Sequence, residues 1–383
     1  EMEPLFAAVT HACQAGQHKE ALNEIYISRI LRNASYSWRK LGSFGADLAA
    51  ISCFFSQPCI DPINSLNVFE KGFVLRHAAS YLKALGRLSE ATLSYQTALK
   101  LEIDIKNWRS ANMVASDLSE IYMMVGSMPE ALQYAQMSVE QSDKSHDNWK
   151  RIARRDFLAY VLLQCGRTSD AETVFHEATT LQKKYQNESQ LKYAKWAFQY
   201  CELLFVQGKY KEIENHPFER VEWSGQENLE FPLEMALENL TLGKAKLEKP
   251  SDSNFREAET KIHKAVEGFR GAAYQDNLAV GLVTRAALYR MQKKFAKALA
   301  DLEEAREIAE RGEMRLYLAD YHLEACRLCL AEQGAKSGGA GRRGRKGEEA
   351  REHLATAKKM IEKMGYGRRK PEVTELEAMI NEQ

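Results

Sequence analysis

The sequence is poor in residues that break helices and lacks the motifs that mark enzymes. Only 8 prolines occur in 383 residues, so long stretches can run helical without interruption. No apolar run approaches 18 residues, which excludes a membrane-spanning helix. There is no excess of charge, since 53 basic residues balance 53 acidic ones. No global field therefore draws the chain to nucleic acid or to an anionic membrane, and neither is expected as a partner. The opening residues, Glu1 to Val9, carry no basic segment and no cleavage site, so no signal peptide is expected. Beginning on Glu1 rather than Met points to a piece of a longer protein. The seven cysteines are odd in number and fall mostly inside amphipathic stretches. That favours reduced thiols and a cytoplasmic location over a disulfide framework. A phosphate-cradling loop, a dinucleotide glycine motif, a zinc-protease motif and a nucleophile elbow are all missing. No catalytic residue, no cofactor and no enzymatic activity are expected.

What is present is a rhythm. Gly86 is followed by Ala91, Tyr95 and Ala98; Gly126 by Ala131, Ala135 and Ser138; Gly166 by Ala171, Phe175 and Ala178. The three glycines are 40 residues apart, a period in the range of helical-repeat arrays. Each unit reads as two antiparallel helices. The first ends at the glycine, which adopts the left-handed conformation at little cost. The small alanine lets the second helix approach closely, and the larger residue four positions on fills the space between them. Gly16 with Ala21 and Ile25, Gly208, Ala258 with Ile262, Ala298 with Leu302, and Ala350 with Leu354 extend the scheme over the chain. The fold expected is all-α, a right-handed superhelical array of about nine antiparallel helix pairs. These residues resemble the tetratricopeptide repeat, TPR, in a variant with units longer than its usual ~34 residues.

Three segments break the rhythm. Ser56 to Asn64 is a proline-punctuated connection after an irregular second unit and ends the apolar helix Ala46 to Phe55. Residues 216–231, with Pro217, Trp223 and Gly225, read as a long inter-repeat loop. The loop divides the array into an N-terminal block, 1–215, and a C-terminal block, 232–383. Residues 334–347 form a Gly/Arg-rich insertion, read as a solvated connection between two helices of one repeat. A last helix, about Pro371 to Asn381, caps the open end.

An array of this kind builds a concave face and is usually a binding device. From the repeat register, the first helices turn Arg76, Ser80 and Lys83, then Ser116 and Glu120, then Asp156 and Tyr160, then Lys195 and Glu202 into the groove. This lining of both signs suits a peptide or protein better than a polyanion. For any single one of these residues, the plain alternative is an ordinary solvated side chain. His322, Cys326 and Cys329 share one helix face at zinc-ligand residue types, but a fourth ligand is missing and cysteine packs well in cores. No metal site is expected. Trp108 and Trp149, each after an asparagine, read as packing over the start of successive repeats rather than as a ligand rim.

Several stretches go beyond a generic repeat. Glu24 to Ile30, Lys40 to Ala50, Trp108 to Glu120, Thr284 to Leu288, Ala309 to Leu316 and the end motif Ile361 to Arg369 resemble the C-terminal repeat region of bacterial STAND-type NTPases. The resemblance covers nearly the whole chain in order. It implies a sensor region that controls a nucleotide-binding switch lying upstream in the same protein, in bacterial immunity or signalling, in the manner of NOD-like receptors. Its implied partners are a protein or peptide ligand and that upstream domain. The chain departs from the whole-protein pattern in having no phosphate-binding loop of its own. The competing expectation is a constitutive TPR scaffold with no sensing role.

Overall fold

The computed structural model describes residues 2–33, 35–185, 194–215, 232–248, 251–271, 274–334 and 340–382. The expected loop 216–231 and residues 335–339 of the insertion lie outside them.

The chain opens with α1 (Glu3–Gln14), paired with a helix that begins as α2 (His18–Glu20) and continues as a π-helical stretch, Ala21–Ile30. The irregular second unit holds α3 (Tyr36–Leu41) and α4 (Phe44–Ser52). The proline-punctuated segment is more ordered than a plain connection. It makes a small antiparallel ribbon of β1 (Phe55–Gln57) and β2 (Asp61–Pro62), with Phe55 opposite Pro62. Proline offers no N–H to extend such a ladder, so the ribbon stays short.

Regular pairs follow. They are α5 (Val68–Ala84) with α6 (Leu88–Asp104), α7 (Trp108–Met124) with α8 (Met128–Lys144), and α9 (Asn148–Gln164) with α10 (Thr168–Tyr185). Then come α11 (Ala194–Val206) with the short α12 (Tyr210–Glu214), and α13 (Pro232–Leu247) with α14 (Asp252–Gly271). The array ends with α15 (Gln275–Met291) and α16 (Phe295–Arg311), α17 (Arg315–Gly334) and α18 (Ala340–Met364), and α19 (Lys370–Asn381). Residues 340–347 of the Gly/Arg-rich segment thus form the first turns of α18. The fold is an all-α helical-repeat solenoid, as the glycine rhythm requires.

Local chemistry sets the boundaries. Asn67 caps α5 through a reciprocal box with Glu70. At the turn that ends α5, Gly86 has φ +76°, and the Arg87 N–H bonds the Leu82 carbonyl, closing the left-handed cap. Ala91, Ala131 and Ala171 are fully buried at the crossings. The Ser119 hydroxyl reaches the Ala131 carbonyl at 2.6 Å, which shows how near α7 and α8 lie.

Neighbouring first helices pack in series, α7 on α9, α9 on α11, α11 on α13, α13 on α15 and α15 on α17. The series then returns on itself, because α17 touches α7. Ala309 and Met314 share an apolar cluster with Leu82 and Val114. Met123 and Met128 share another with Leu316, Met364 and Tyr366. The two blocks read from the sequence therefore have common cores. The turns also meet: Gly86 faces Gly312, Gly126 faces Met364, and Gly166 faces Gly367.

Candidate functional site

The closed array surrounds a cavity of about 360 Å³. Its walls come from the inner helices of both blocks and from the irregular second unit, which contributes Trp38 and Phe44. A buried polar network holds that unit in place. Asp47 accepts from Ser37, Ser43 and Tyr26 at 2.9 Å each, and the Tyr26 hydroxyl also meets that of Tyr81 at 2.9 Å. Burial raises the Asp47 carboxyl, and the three hydroxyl donors hold it down in part.

Of the residues read as groove-facing, Ser80, Lys83, Glu120, Tyr160 and Glu202 line the cavity. Lys83 reaches across from α5 to α7, 2.8 Å from both Asp117 and Glu120. Burial opposes its charge, but the two carboxylates outweigh burial and hold the ammonium well above its usual range. Tyr160 stands 6.4 Å from the Phe198 ring, centre to centre. Burial first, and then the nearby Glu202 carboxylate, push its phenol well up, so it stays a neutral donor. Ser80 spends its hydroxyl on Tyr95 at 2.8 Å.

The other expected positions lie elsewhere. Arg76 sits between repeats, where it donates to Ser110 at 2.8 Å and pairs with Glu102 at 3.4 Å. Ser116 is buried in α7 and Asp156 is half-buried on α9, and neither is part of the cavity wall. Lys195 falls in the first turn of α11, and its side chain lies outside the described residues. The register error is systematic: Arg76, Ser116 and Asp156 hold the same place on α5, α7 and α9, ten residues before Gly86, Gly126 and Gly166, and that place is not part of the cavity wall on any of them, whereas Ser80, Glu120 and Tyr160, one turn nearer the glycine, all line it.

The sequence reading missed the wall supplied from the far end of the chain. After α18, Gly365 turns with φ +73° and delivers Tyr366, Arg368 and Arg369 to the cavity. Arg369 donates to Asp320 at 2.8 Å and Tyr366 to the same carboxylate at 3.3 Å. Arg368 crosses to the N-terminal block, where it pairs with Glu202 and approaches the Gln164 carbonyl oxygen at 3.5 Å. Glu202 also takes Lys244 at 2.6 Å. Burial by itself raises the Glu202 carboxyl, but the two cations outweigh it and hold it at about 2. The signal available was Gly365-Tyr366-Gly367 before two arginines, a turn that presents charge.

Cys326 and Cys329 are core residues, and burial pushes their thiols up to about 12 and about 11. Such thiols resist the deprotonation a metal requires. His322 meets His353 ring to ring, with their Nδ1 atoms 2.9 Å apart. Among the described residues no group of three or more His, Cys, Asp or Glu side chains is arranged to hold a metal. No helix among them is long and apolar enough to cross a membrane. The two tryptophans are offset by one place, Trp108 opening α7 and Trp149 following Asn148 in α9. Lys144 lies over the Trp108 ring at 5.1 Å, so that indole is engaged by its own repeat.

No family model and no curated protein matches the chain. Solved structures do. One is the Rap conjugation gene regulator of the plasmid pLS20, in complex with a Phr peptide. It is 12% identical, with a TM-score of 0.58, over 93% of this chain and 95% of that one. Another is a Rap protein complexed with competence and sporulation factor, 14% identical, with a TM-score of 0.37, over 98% and 93%. The fold is a TPR-like helical solenoid. The first likeness extends over nearly the whole of both chains, so it concerns the complete array rather than a few repeats.

Proposed function

We propose that the chain is a ligand-sensing repeat module that takes a peptide, or an extended segment of a protein, into its central cavity. It relays occupancy to a nucleotide-binding switch upstream, as the resemblance to bacterial STAND NTPases implies, in cytoplasmic immunity or signalling. In this reading the module itself is not catalytic, and nucleotide hydrolysis belongs to the upstream domain.

One observation carries the ligand half of the reading. The wall of the cavity combines aromatic rings with charges of both signs, Tyr160, Phe198 and Tyr317 together with Lys83, Glu120, Glu202 and Arg368. Pockets of this size and mixed lining take small ligands by apolar contact and orient them by a few polar groups. A volume of about 360 Å³ has no room for a folded domain. The Rap regulator with the similar fold was solved with a peptide bound, which agrees with this reading.

The test is ligand dependence. Peptides that co-purify with the full-length protein are identified by mass spectrometry and returned to the isolated array. A sensor gains stability on binding, by an amount set by ligand concentration over affinity. Tyr160→Ala, in the cavity wall, is expected to abolish that gain and to block activation of the full-length protein. Tyr160→Ala combined with Asp156→Ala, leaving binding and activation intact, would remove this cavity as the sensor surface and point to the C-terminal block beyond Phe231. An array that gains no stability from any co-purifying peptide, yet holds the upstream domain constitutively, is the scaffold instead.

A further inference from the structure

Five tyrosines line the cavity, Tyr81, Tyr160, Tyr274, Tyr317 and Tyr366. Two of them spend their hydroxyls within the protein. Tyr81 meets Tyr26 at 2.9 Å, and Tyr366 donates to Asp320 at 3.3 Å. The other three, Tyr160 on α9, Tyr274 just before α15 and Tyr317 on α17, make no hydrogen bond among the described residues. Nor are their hydroxyls among the polar atoms sealed from water without a partner, which are Trp38 Nε1 and five glutamine atoms. These hydroxyls therefore keep accessible surface, on half-buried side chains that border the cavity. Burial pushes all three phenols up, Tyr274 to about 12, so each is a neutral O–H that both donates and accepts.

The charges of the wall are, by contrast, already matched. Lys83 holds Asp117 and Glu120, Glu202 holds Lys244 and Arg368, and Asp320 holds Arg369. Arg39, Glu234 and Asp276 are engaged as well. A ligand carboxylate or phosphate would have to displace a protein carboxylate from its cation, and a ligand cation the reverse. Breaking a buried pair strands one of its charges, which costs far more than displacing water from a hydroxyl. We propose that the three free hydroxyls read the ligand while the paired charges only frame the cavity, so that the segment taken in is uncharged: peptide main chain with apolar or neutral polar side chains. This rests on the peptide reading above and adds the chemical class of the peptide. Main-chain carbonyls accept from phenols, and main-chain N–H groups donate to them. Apolar side chains are left to the rings beside the hydroxyls, Phe198 at 6.4 Å from Tyr160 and Phe44 at 6.0 Å from Tyr274. The hydroxyls come from both blocks, so a segment that meets all three ties the blocks together.

The probe is a pool of short synthetic peptides of random sequence, acetylated and amidated at their ends so that only side chains carry charge. The pool is incubated with the chain, and bound peptides are recovered by gel filtration and sequenced by mass spectrometry. Asp, Glu, Lys and Arg are expected to be depleted in the bound fraction by about tenfold or more. The best binder is then titrated against Tyr160→Phe, Tyr274→Phe and Tyr317→Phe, each of which loses one hydroxyl and keeps its ring. Each is expected to bind about threefold to tenfold more weakly, the value of one hydrogen bond. The melting temperature of the ligand-free variants is expected to be unchanged or raised, because no hydrogen bond within the protein is lost. Tyr26→Phe, whose hydroxyl serves Asp47 and Tyr81, is expected to melt lower and marks what a spent hydroxyl is worth. A bound fraction as rich in charge as the pool overturns the proposal while the peptide reading stands. Unchanged affinity in all three variants does the same, as does a melting temperature lowered in them as far as in Tyr26→Phe. If the folded chain recovers no peptide above a heat-unfolded sample, the peptide reading falls and this assignment falls with it.

Discussion

Single residues show where sequence reading succeeds and where it stops. Gly16, Gly86, Gly126, Gly166 and Gly208 all have positive φ at first-helix ends, and they were legible because only glycine takes that conformation without strain. Lys106, His146, Lys293 and Glu313 adopt the same left-handed conformation at other helix ends, and no residue type announced them. Lys293 is the plainest case. Its turn is built like that of Gly86, with the Lys294 N–H bonded to the Tyr289 carbonyl at 2.8 Å. Left-handed backbone costs a non-glycine residue about 1–2 kcal/mol. Part of that is returned as unfolded-state entropy when glycine is introduced. Lys293→Gly is therefore expected to stabilise the chain by about 1 kcal/mol, read as a raised urea midpoint at unchanged slope. The His322, Cys326 and Cys329 face gives a second expectation. Cys326→Ser places a hydroxyl in a fully buried site and is expected to lower the melting temperature without changing metal content. Stoichiometric zinc in the purified chain, lost in that variant, would reverse the assignment to the core.

Elements were legible where their faces are unequal. The helices α5 to α9 are 17 residues each, with alanine at every crossing, so both period and pairing could be read. Helix α17 hid its role. Leu316, Ala319, Leu323, Cys326 and Leu330 are buried along it, as are Tyr321, Glu324 and Leu328. A helix surrounded on all sides has no polar stripe to mark its orientation. It packs on α15, α16, α18 and α19 and touches α7, which makes it one of the elements that join the blocks. The alanine crossings support a direct test. Ala131 has no exposed surface, and its carbonyl already accepts the Ser119 hydroxyl. Ala131→Leu is expected to overpack the α7–α8 pair and cost about 1–3 kcal/mol. Gln133→Leu on the exposed side of the same helix is expected to leave the thermal melt within error of the parent.

At the scale of the whole molecule, the sequence shows an open array and the structure shows a closed one. Repeat periodicity reports contacts between neighbours, which are short in sequence. It carries no trace of Gly166 meeting Gly367 or Arg368 pairing with Glu202. Those contacts shape the cavity, so the wall from Tyr366 to Arg369 could not be read from the repeat register. The closing ion pairs have a pH signature. Glu202, 3% exposed, is held at about 2 against an ordinary value of 4.5. Below its ordinary value the unfolded chain takes up the proton first, so the stabilisation is present above that pH. It is lost as pH falls toward the folded value. The shift corresponds to about 3 kcal/mol. Urea midpoints across that window are expected to fall steeply for the parent and less for Glu202→Gln.

Closure itself can be separated from backbone strain by two glycines with the same geometry. Gly166 has φ +78° and Gly208 has φ +69°, so alanine strains the backbone at both. Their surroundings differ. A Cβ on Gly166 would lie 2.8 Å from the Gly367 carbonyl carbon, closer than packed atoms approach. Around Gly208 there is nothing within 4 Å among the described residues. Both Gly166→Ala and Gly208→Ala are expected to lose about 1 kcal/mol of stability. Only Gly166→Ala should also push the two turns apart, loosen Arg368 from Glu202 and open the ring. Small-angle scattering should then give a larger radius of gyration for Gly166→Ala than for Gly208→Ala, which should match the parent. Equal radii for all three would mean that the turn contacts do not hold the array closed.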